Sequence, residues 1–178
     1  MRVITGTAKG RTLRTLEGDN VRPTTQRVKE AIFSIIQFDI EGRRVLDLFA
    51  GSGQLGIEAL SRGAEQAVFV DNEKASVAVI KENLAKTQLA SKASVVQTDA
   101  LSFLRMNGEL FDIAFLDPPY STGLLEKAMS AISDHIATGG IVICECPLGE
   151  EPDDEIGSLV KNRSYRYGKI SVTTFIKQ

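Results

Sequence analysis

The chain has 178 residues, 43% of them hydrophobic and 25% charged, at a formal net charge of -2; that fits one globular domain with at most a small appendage. No run of 18 apolar residues occurs, and the opening MRVITGTAKG has no apolar core. Neither a membrane-spanning helix nor a secretory signal is expected, and the predicted location is cytoplasmic. The charge is uneven: residues 1–29 hold seven bases (Arg2, Lys9, Arg11, Arg14, Arg22, Arg27, Lys29) against two acids (Glu17, Asp19), a local +5 that leaves -7 for the rest. A polyanion contact at one end fits this, as does a solvated surface strand and helix.

In chain order, Val3-Ile4 and Thr12 to Leu16 read as two short strands around the turn Ala8-Lys9-Gly10. After Arg22-Pro23-Thr24, the apolar stripe Val28, Ala31, Ile32, Ile35, Ile36 predicts a helix. Past Gly42, strands and helices alternate. Arg44 to Phe49 is a buried strand, GSGQLGIEALSRG a loop and helix closed by Gly63, and Ala67 to Val70 a strand ending in Asp71. Glu73 to Thr87 is a helix, Ser94 to Gln97 a strand ending near Asp99, and a short helix runs to Met106. Phe111 to Leu116 is a strand ending at Asp117-Pro118-Pro119-Tyr120, Leu124 to Ile136 a helix carrying the lone His135, and Ile141 to Cys146 a strand. The acidic run Glu150 to Glu155 reads as a loop, and Tyr165–Tyr167 with Ile170–Ile176 as a hairpin. The fold class is therefore α/β, a mostly parallel sheet covered on both faces with an antiparallel pair at one edge. Cys144 and Cys146 share a strand face with Cα atoms about 7 Å apart, too far for a disulfide, so they read as ordinary thiols.

Ligands of a doubly wound sheet sit beyond the carboxyl ends of its strands. Those ends deliver Asp47, Asp71, Asp99 and Asp117 to one edge, and four acids there point to a shared site. Gly51-Ser52-Gly53-Gln54-Leu55-Gly56 matches the dinucleotide fingerprint, with Asp71 at the expected distance. Asp47 would repel a diphosphate, however, and would welcome an amine. S-adenosylmethionine, which has no phosphate, fits better: Asp47 for its ammonium, Gly51, Ser52 and Gly53 for close backbone approach with amides for its carboxylate, Asp71 for the ribose, Asp99 and the Ala100 amide for adenine, with Asn72 a further cofactor-binding candidate.

Asp117-Pro118-Pro119-Tyr120 suits an exocyclic base amine, whose lone pair is delocalised into the ring. The Asp117 carboxylate and the Pro118 carbonyl can accept its two N–H groups, the prolines hold those acceptors extended, and Tyr120 offers a stacking face. No metal is required.

On RVITGTAKGRTL, RPTTQRVKEAIFSII, VLDLFAGSGQLGIEALSRGA, VFVDNEK and FDIAFLDPPY, nearly the whole chain resembles the ribosomal small-subunit RNA methyltransferase D family, bacterial 16S rRNA guanine-N2 methyltransferases. The first two motifs belong to that family's small N-terminal extension. The resemblance implies a Rossmann-like, seven-stranded class I S-adenosylmethionine-dependent methyltransferase, with an extension over 1–41 and the methyltransferase domain over 42–178. It implies that Gly51, Ser52, Gly53, Asp71, Asp99 and Ala100 line the cofactor and Asp117 to Tyr120 the target guanine. Glutamate is common where Asp71 stands, and Gln54 replaces a residue usually small. The implied partner is 16S rRNA in the 30S subunit or an assembly intermediate. Lys9, Arg11, Arg14, Arg22 and Arg27 are the RNA-gripping candidates, and a monomer is expected. The same catalytic motif serves adenine-N6 methylation of DNA or RNA, and glutamine-N5 methylation or a catalytically dead binding protein are further readings.

Overall fold

The computed structural model describes residues 1–16 and 26–178. The predicted contact Arg22 and its Pro23 lie outside the described residues.

Five parallel strands form the centre: β1 (Arg44–Asp47), β2 (Gln66–Asp71), β3 (Ala93–Gln97), β4 (Phe111–Leu116) and β5 (Ile136–Pro147). Beyond β5 lie β6 (Glu155–Ile156), β7 (Leu159–Tyr167) and β8 (Ile170–Lys177), and the sheet order is β3-β2-β1-β4-β5-β8-β7-β6. The tail hairpin adds antiparallel strands as expected, with β8 beside β5. The two-residue β6 is an eighth strand, and it takes Glu155 out of the acidic run read as a loop.

Strand side chains alternate between two cores, as the period of two requires. Val45, Phe69, Ile113, Phe115 and Ile143 pack under α1 (Gln26–Ile35), α2 (Gln54–Ser61) and α3 (Lys74–Thr87). Leu46, Val70, Ala114, Leu116 and Cys144 pack under α4 (Ala100–Met106) and α5 (Leu124–Ile132). The thiols are free and buried, and burial pushes both up, Cys146 to about 12.

Three boundaries differ from expectation. α5 ends at Ile132, His135 sits in a 3₁₀ turn, and Ile136 opens β5 opposite Phe111. β7 begins at Leu159, well before Tyr165. The N-terminal segment makes a single bridge, Arg2 to Thr12, instead of a two-stranded hairpin. Backbone bonds still join the two arms, from the Val3 amide to the Arg11 carbonyl at 3.0 Å, Gly10 to Val3 at 2.9 Å and Leu13 to Met1 at 2.8 Å; others run to α2, where the Ile4 and Thr5 amides donate to the Glu58 carboxylate at 2.8 and 3.0 Å and the Thr7 amide to the Ser61 carbonyl at 2.8 Å. Gly6, at φ 86°, permits this approach, since a Cβ there would lie 1.7 Å from the Ser61 carbonyl oxygen.

Candidate active site

The strand order reverses between β1 and β4, which opens a crevice at the carboxyl edge. β1 ends on Asp47 and β2 on Asp71, while Asp99 lies two residues past β3 and Asp117 one past β4. The four predicted acids therefore do meet at one edge.

Asp47 is 3% exposed. Its Oδ2 accepts the Gly56 N–H at 3.0 Å, and this stands in for a cap on α2, whose N-cap Gly53 has no capping side chain. Burial pushes the Asp47 carboxyl up to about 7, against the Gly56 bond, and Asp71 adds to the rise. Asp71 accepts the Gly51 N–H at 2.8 Å and the Glu73 N–H at 2.9 Å. Asp99 is exposed and caps α4, accepting the Ser102 N–H at 2.9 Å; hydrogen bonding to Ser102 holds its carboxyl below its ordinary value. Asn72 is exposed beside Asp71, and Ala100 is buried at the start of α4.

The loop geometry explains its glycines. Gly51 and Gly53 sit at φ 53° and 76°, and a Cβ at Gly51 would meet nothing within 4 Å, which leaves its outer side open to a ligand. A Cβ at Gly56 would instead strike the Phe69 ring at 2.3 Å. The Gly51 and Gly53 amides, expected to face a ligand carboxylate, donate inside the protein to Asp71 and to the Ala50 carbonyl. What remains for a ligand is an open backbone surface rimmed by carboxylates, each with lone pairs to spare.

At the end of β4, Asp117 is half-buried, Pro118 buried and Pro119 exposed. The Tyr120 hydroxyl donates to Glu145 Oε1 at 2.9 Å, and the Thr122 hydroxyl donates to the Pro119 carbonyl at 2.8 Å, closing the turn. A cavity of about 430 Å³ opens here, lined by Pro118, Pro119, Tyr120, Thr122, Glu145 and Cys146 among others.

The family model described as Conserved hypothetical protein 95 matches residues 1–176. A Bacillus subtilis (strain 168) protein named "Putative rRNA methyltransferase YlbH" is 39% identical over 183 residues, covering 100% of both chains. The Escherichia coli (strain K12) "Ribosomal RNA small subunit methyltransferase D" is 41% identical over 76% of this chain and 68% of its own. A solved structure, "Putative methyltransferase yhhF from Escherichia coli", superposes with a TM-score of 0.87 at 33% identity, covering 100% of this chain and 98% of the other. The chain belongs to the ribosomal small-subunit RNA methyltransferase D family. Its doubly wound sheet is the Rossmann-like class I methyltransferase fold.

In this family member the basic extension is less free than its charge suggested. Lys29 is buried against Glu58 at 3.0 Å and cannot meet a polyanion. Arg14 pairs with Glu82 at 2.6 Å, and the Arg11 guanidinium donates to the Lys86 carbonyl and, at 3.4 Å, to Gln88. Lys9 and Arg27 are exposed.

Three features escaped the sequence. Glu145, two residues before the end of β5, is a fifth acid near the same edge, and an acid interrupting the apolar run of that strand was the signal that could have found it. Glu58 and Lys29 form a buried pair joined by Arg62 at 2.9 Å, and no local pattern marks them. Buried Asn83 accepts the Arg14 N–H at 2.8 Å and donates to the Arg14 and Ser52 carbonyls, each at 2.9 Å, so it ties the extension to the glycine loop. Among the described residues no cluster of three or more metal-ligating side chains occurs.

Proposed function

We propose that the protein methylates the exocyclic N2 amine of a guanine in 16S rRNA, using S-adenosylmethionine, as an rRNA (guanine-N2-)-methyltransferase. The observation that carries this is Asp117-Pro118-Pro119-Tyr120 at the β4 edge, whose Pro118, Pro119 and Tyr120 line a cavity, on the same sheet edge as the acid-rimmed glycine loop. Relatives named as ribosomal RNA small subunit methyltransferases support the RNA and the subunit.

The residues fit the cofactor. Asp47 and Asp71, close enough that Asp71 helps to raise the Asp47 carboxyl, suit an ammonium, and Gly51, with Ser52 and Gly53 beside it, offers an open backbone surface. Asp71 and Asn72 take the ribose, and Asp99 and Ala100 the adenine. When bound, S-adenosylmethionine supplies an electrophilic methyl group on a cationic sulfur. The protein's share is alignment. Asp117 and the Pro118 carbonyl would accept the two amine N–H groups and turn the nitrogen lone pair towards the methyl; the N–C bond would form as the methyl–sulfur bond breaks, leaving S-adenosylhomocysteine, and one N–H proton would pass to solvent. Tyr120 stacks on the extruded base.

Residues 1–41 act as an RNA-facing extension of a domain over 42–178, with Lys9, Arg11, Arg14, Arg22 and Arg27 the contact candidates. The partner is the 30S subunit or an assembly intermediate, met in the cytoplasm by a monomer that needs no metal.

Nucleoside mass mapping of 16S rRNA from a deletion strain, complemented with wild type or Asp117→Ala, tests the reading. Loss of one N2-methylguanosine, restored by wild type only, is expected. Asp117→Ala lowers turnover at least about a hundredfold while cofactor affinity holds. Unchanged guanine modification in the deletion strain refutes it.

A further inference from the structure

The Asp-Pro-Pro-Tyr motif serves any exocyclic amine, so the choice of base has to come from elsewhere in the cavity. Glu145 is 5% exposed and is one of the residues that line that cavity. It follows Cys144 on β5, Asp117 follows Leu116 on β4, and Leu116 and Cys144 are paired in register. Neighbouring strands run about 4.8 Å apart, so the two acids leave the sheet side by side. The Tyr120 hydroxyl donates to Glu145 Oε1 at 2.9 Å and fixes that carboxylate against the ring proposed to stack on the base. Glu126, Glu150 and Glu151 also line the cavity, while no Lys, Arg or His does so among the described residues. A cavity of this kind repels phosphate and accepts a ligand edge rich in N–H donors.

We propose that Glu145 selects guanine by accepting the ring N1–H next to the N2 amine held at Asp117. This rests on the guanine reading above. The ring nitrogen flanking the amine decides the matter. In adenine it is N1 and in cytosine N3, both bare acceptors whose lone pairs would face the Glu145 oxygens. Guanine alone among the amine-bearing bases puts an N–H there. A glutamine side-chain amide has only a methylene in that place. The carboxylate thus does two things at once, rewarding guanine with a charge-assisted hydrogen bond and opposing the other bases by lone-pair repulsion.

The test uses 30S particles reconstituted with 16S rRNA carrying either guanine or 2-aminopurine at the mapped target nucleotide. 2-Aminopurine keeps the reacting amine but has a bare N1. Wild type is expected to favour guanine by at least about a hundredfold in kcat/KM, as sites built around a donor reject analogues lacking it. In Glu145→Gln, whose amide can present either oxygen or NH₂, the ratio should fall to within about tenfold. Tyr120→Phe keeps the ring, loses the hydroxyl and should lower the ratio by a smaller factor. Thermal melting and calorimetry with S-adenosylmethionine confirm that each variant is folded and loaded. If Glu145→Gln slows both substrates equally, Glu145 merely anchors Tyr120 and the inference is overturned. Equal wild-type rates on guanine and 2-aminopurine overturn it too, while leaving guanine methylation standing. No wild-type methylation of guanine particles overturns the underlying reading itself. If Glu145→Gln does not fold, the Tyr120→Phe ratio decides, and a wild-type ratio in that variant overturns the inference.

Discussion

Replacing Asp47 with asparagine should make the protein's stability less sensitive to pH. Asp47 has an ordinary value of 3.8 and is pushed up to about 7 in the fold, chiefly by burial. Between about pH 4 and pH 7 the folded protein therefore holds a proton that the unfolded chain has released. Stability from this group is greatest at the acidic end and falls as pH rises, because the folded state binds more protons there. At about 1.4 kcal/mol per tenfold change in proton affinity, ionising Asp47 inside the fold costs about 4 kcal/mol by pH 7 to 8. The asparagine side chain cannot ionise, and its carbonyl can still accept the Gly56 N–H. Other effects of the substitution do not depend on pH and leave the slope alone. Urea unfolding of both proteins from about pH 4 to pH 8 should show the variant gaining on wild type by about 4 kcal/mol up to pH 7, then levelling off. Parallel curves would mean that Asp47 is ionised throughout and that its burial carries no such penalty. If Asp47 faces the cofactor's ammonium, wild-type affinity should also weaken below pH 7, with proton release on binding, and the variant should lack both effects.

Glu58→Gln leaves Lys29 buried with a weakened partner and should destabilise the protein by about 3–5 kcal/mol in denaturant unfolding, because a charge stripped of its counter-ion inside the fold is costly. Asn83→Ala strands three backbone groups of Arg14 and Ser52; on the order of 3 kcal/mol of stability should be lost, and calorimetry should show weaker S-adenosylmethionine binding. Lys9→Ala with Arg27→Ala, both exposed, should reduce the salt dependence of 30S binding by about one unit of log–log slope per lost phosphate contact, with cofactor affinity unchanged; an unaltered slope would leave these bases as solvated surface.

The centre of the sheet was legible because each inner parallel strand is an apolar run closed by an acid: Val45-Leu46 by Asp47, Val68-Phe69-Val70 by Asp71, Ala114-Phe115-Leu116 by Asp117. Burial on both faces demands such runs, and the crevice beyond them demands polar ends. Where the pattern serves two structures, it misled. Ile132 and Ile136 keep helical spacing, yet Ile136 is taken by Phe111 of the neighbouring strand. β7 starts with Leu159-Val160 but runs on through the polar Lys161, Asn162 and Arg163, since its outer position leaves little apolar side to read.

The N-terminal segment shows the deeper limit. Its two arms do share backbone hydrogen bonds, but a lone pair of strands is marginal in water, and further partners on α2 hold it in place. Those partners, Glu58 and Ser61, lie more than fifty residues away, and nothing local announces them. Asn83 compounds the effect by joining Arg14 to the Ser52 carbonyl of the glycine loop. Asn83 therefore holds both the N-terminal segment and the glycine loop, so the position of one is tied to that of the other. On the proposed reading, that coupling gives the basic segment a reason to be structured before any RNA arrives: a phosphate gripped at Lys9 or Arg27 would then be fixed relative to Asp117, and alignment at the reacting amine is the part of catalysis the protein itself would supply.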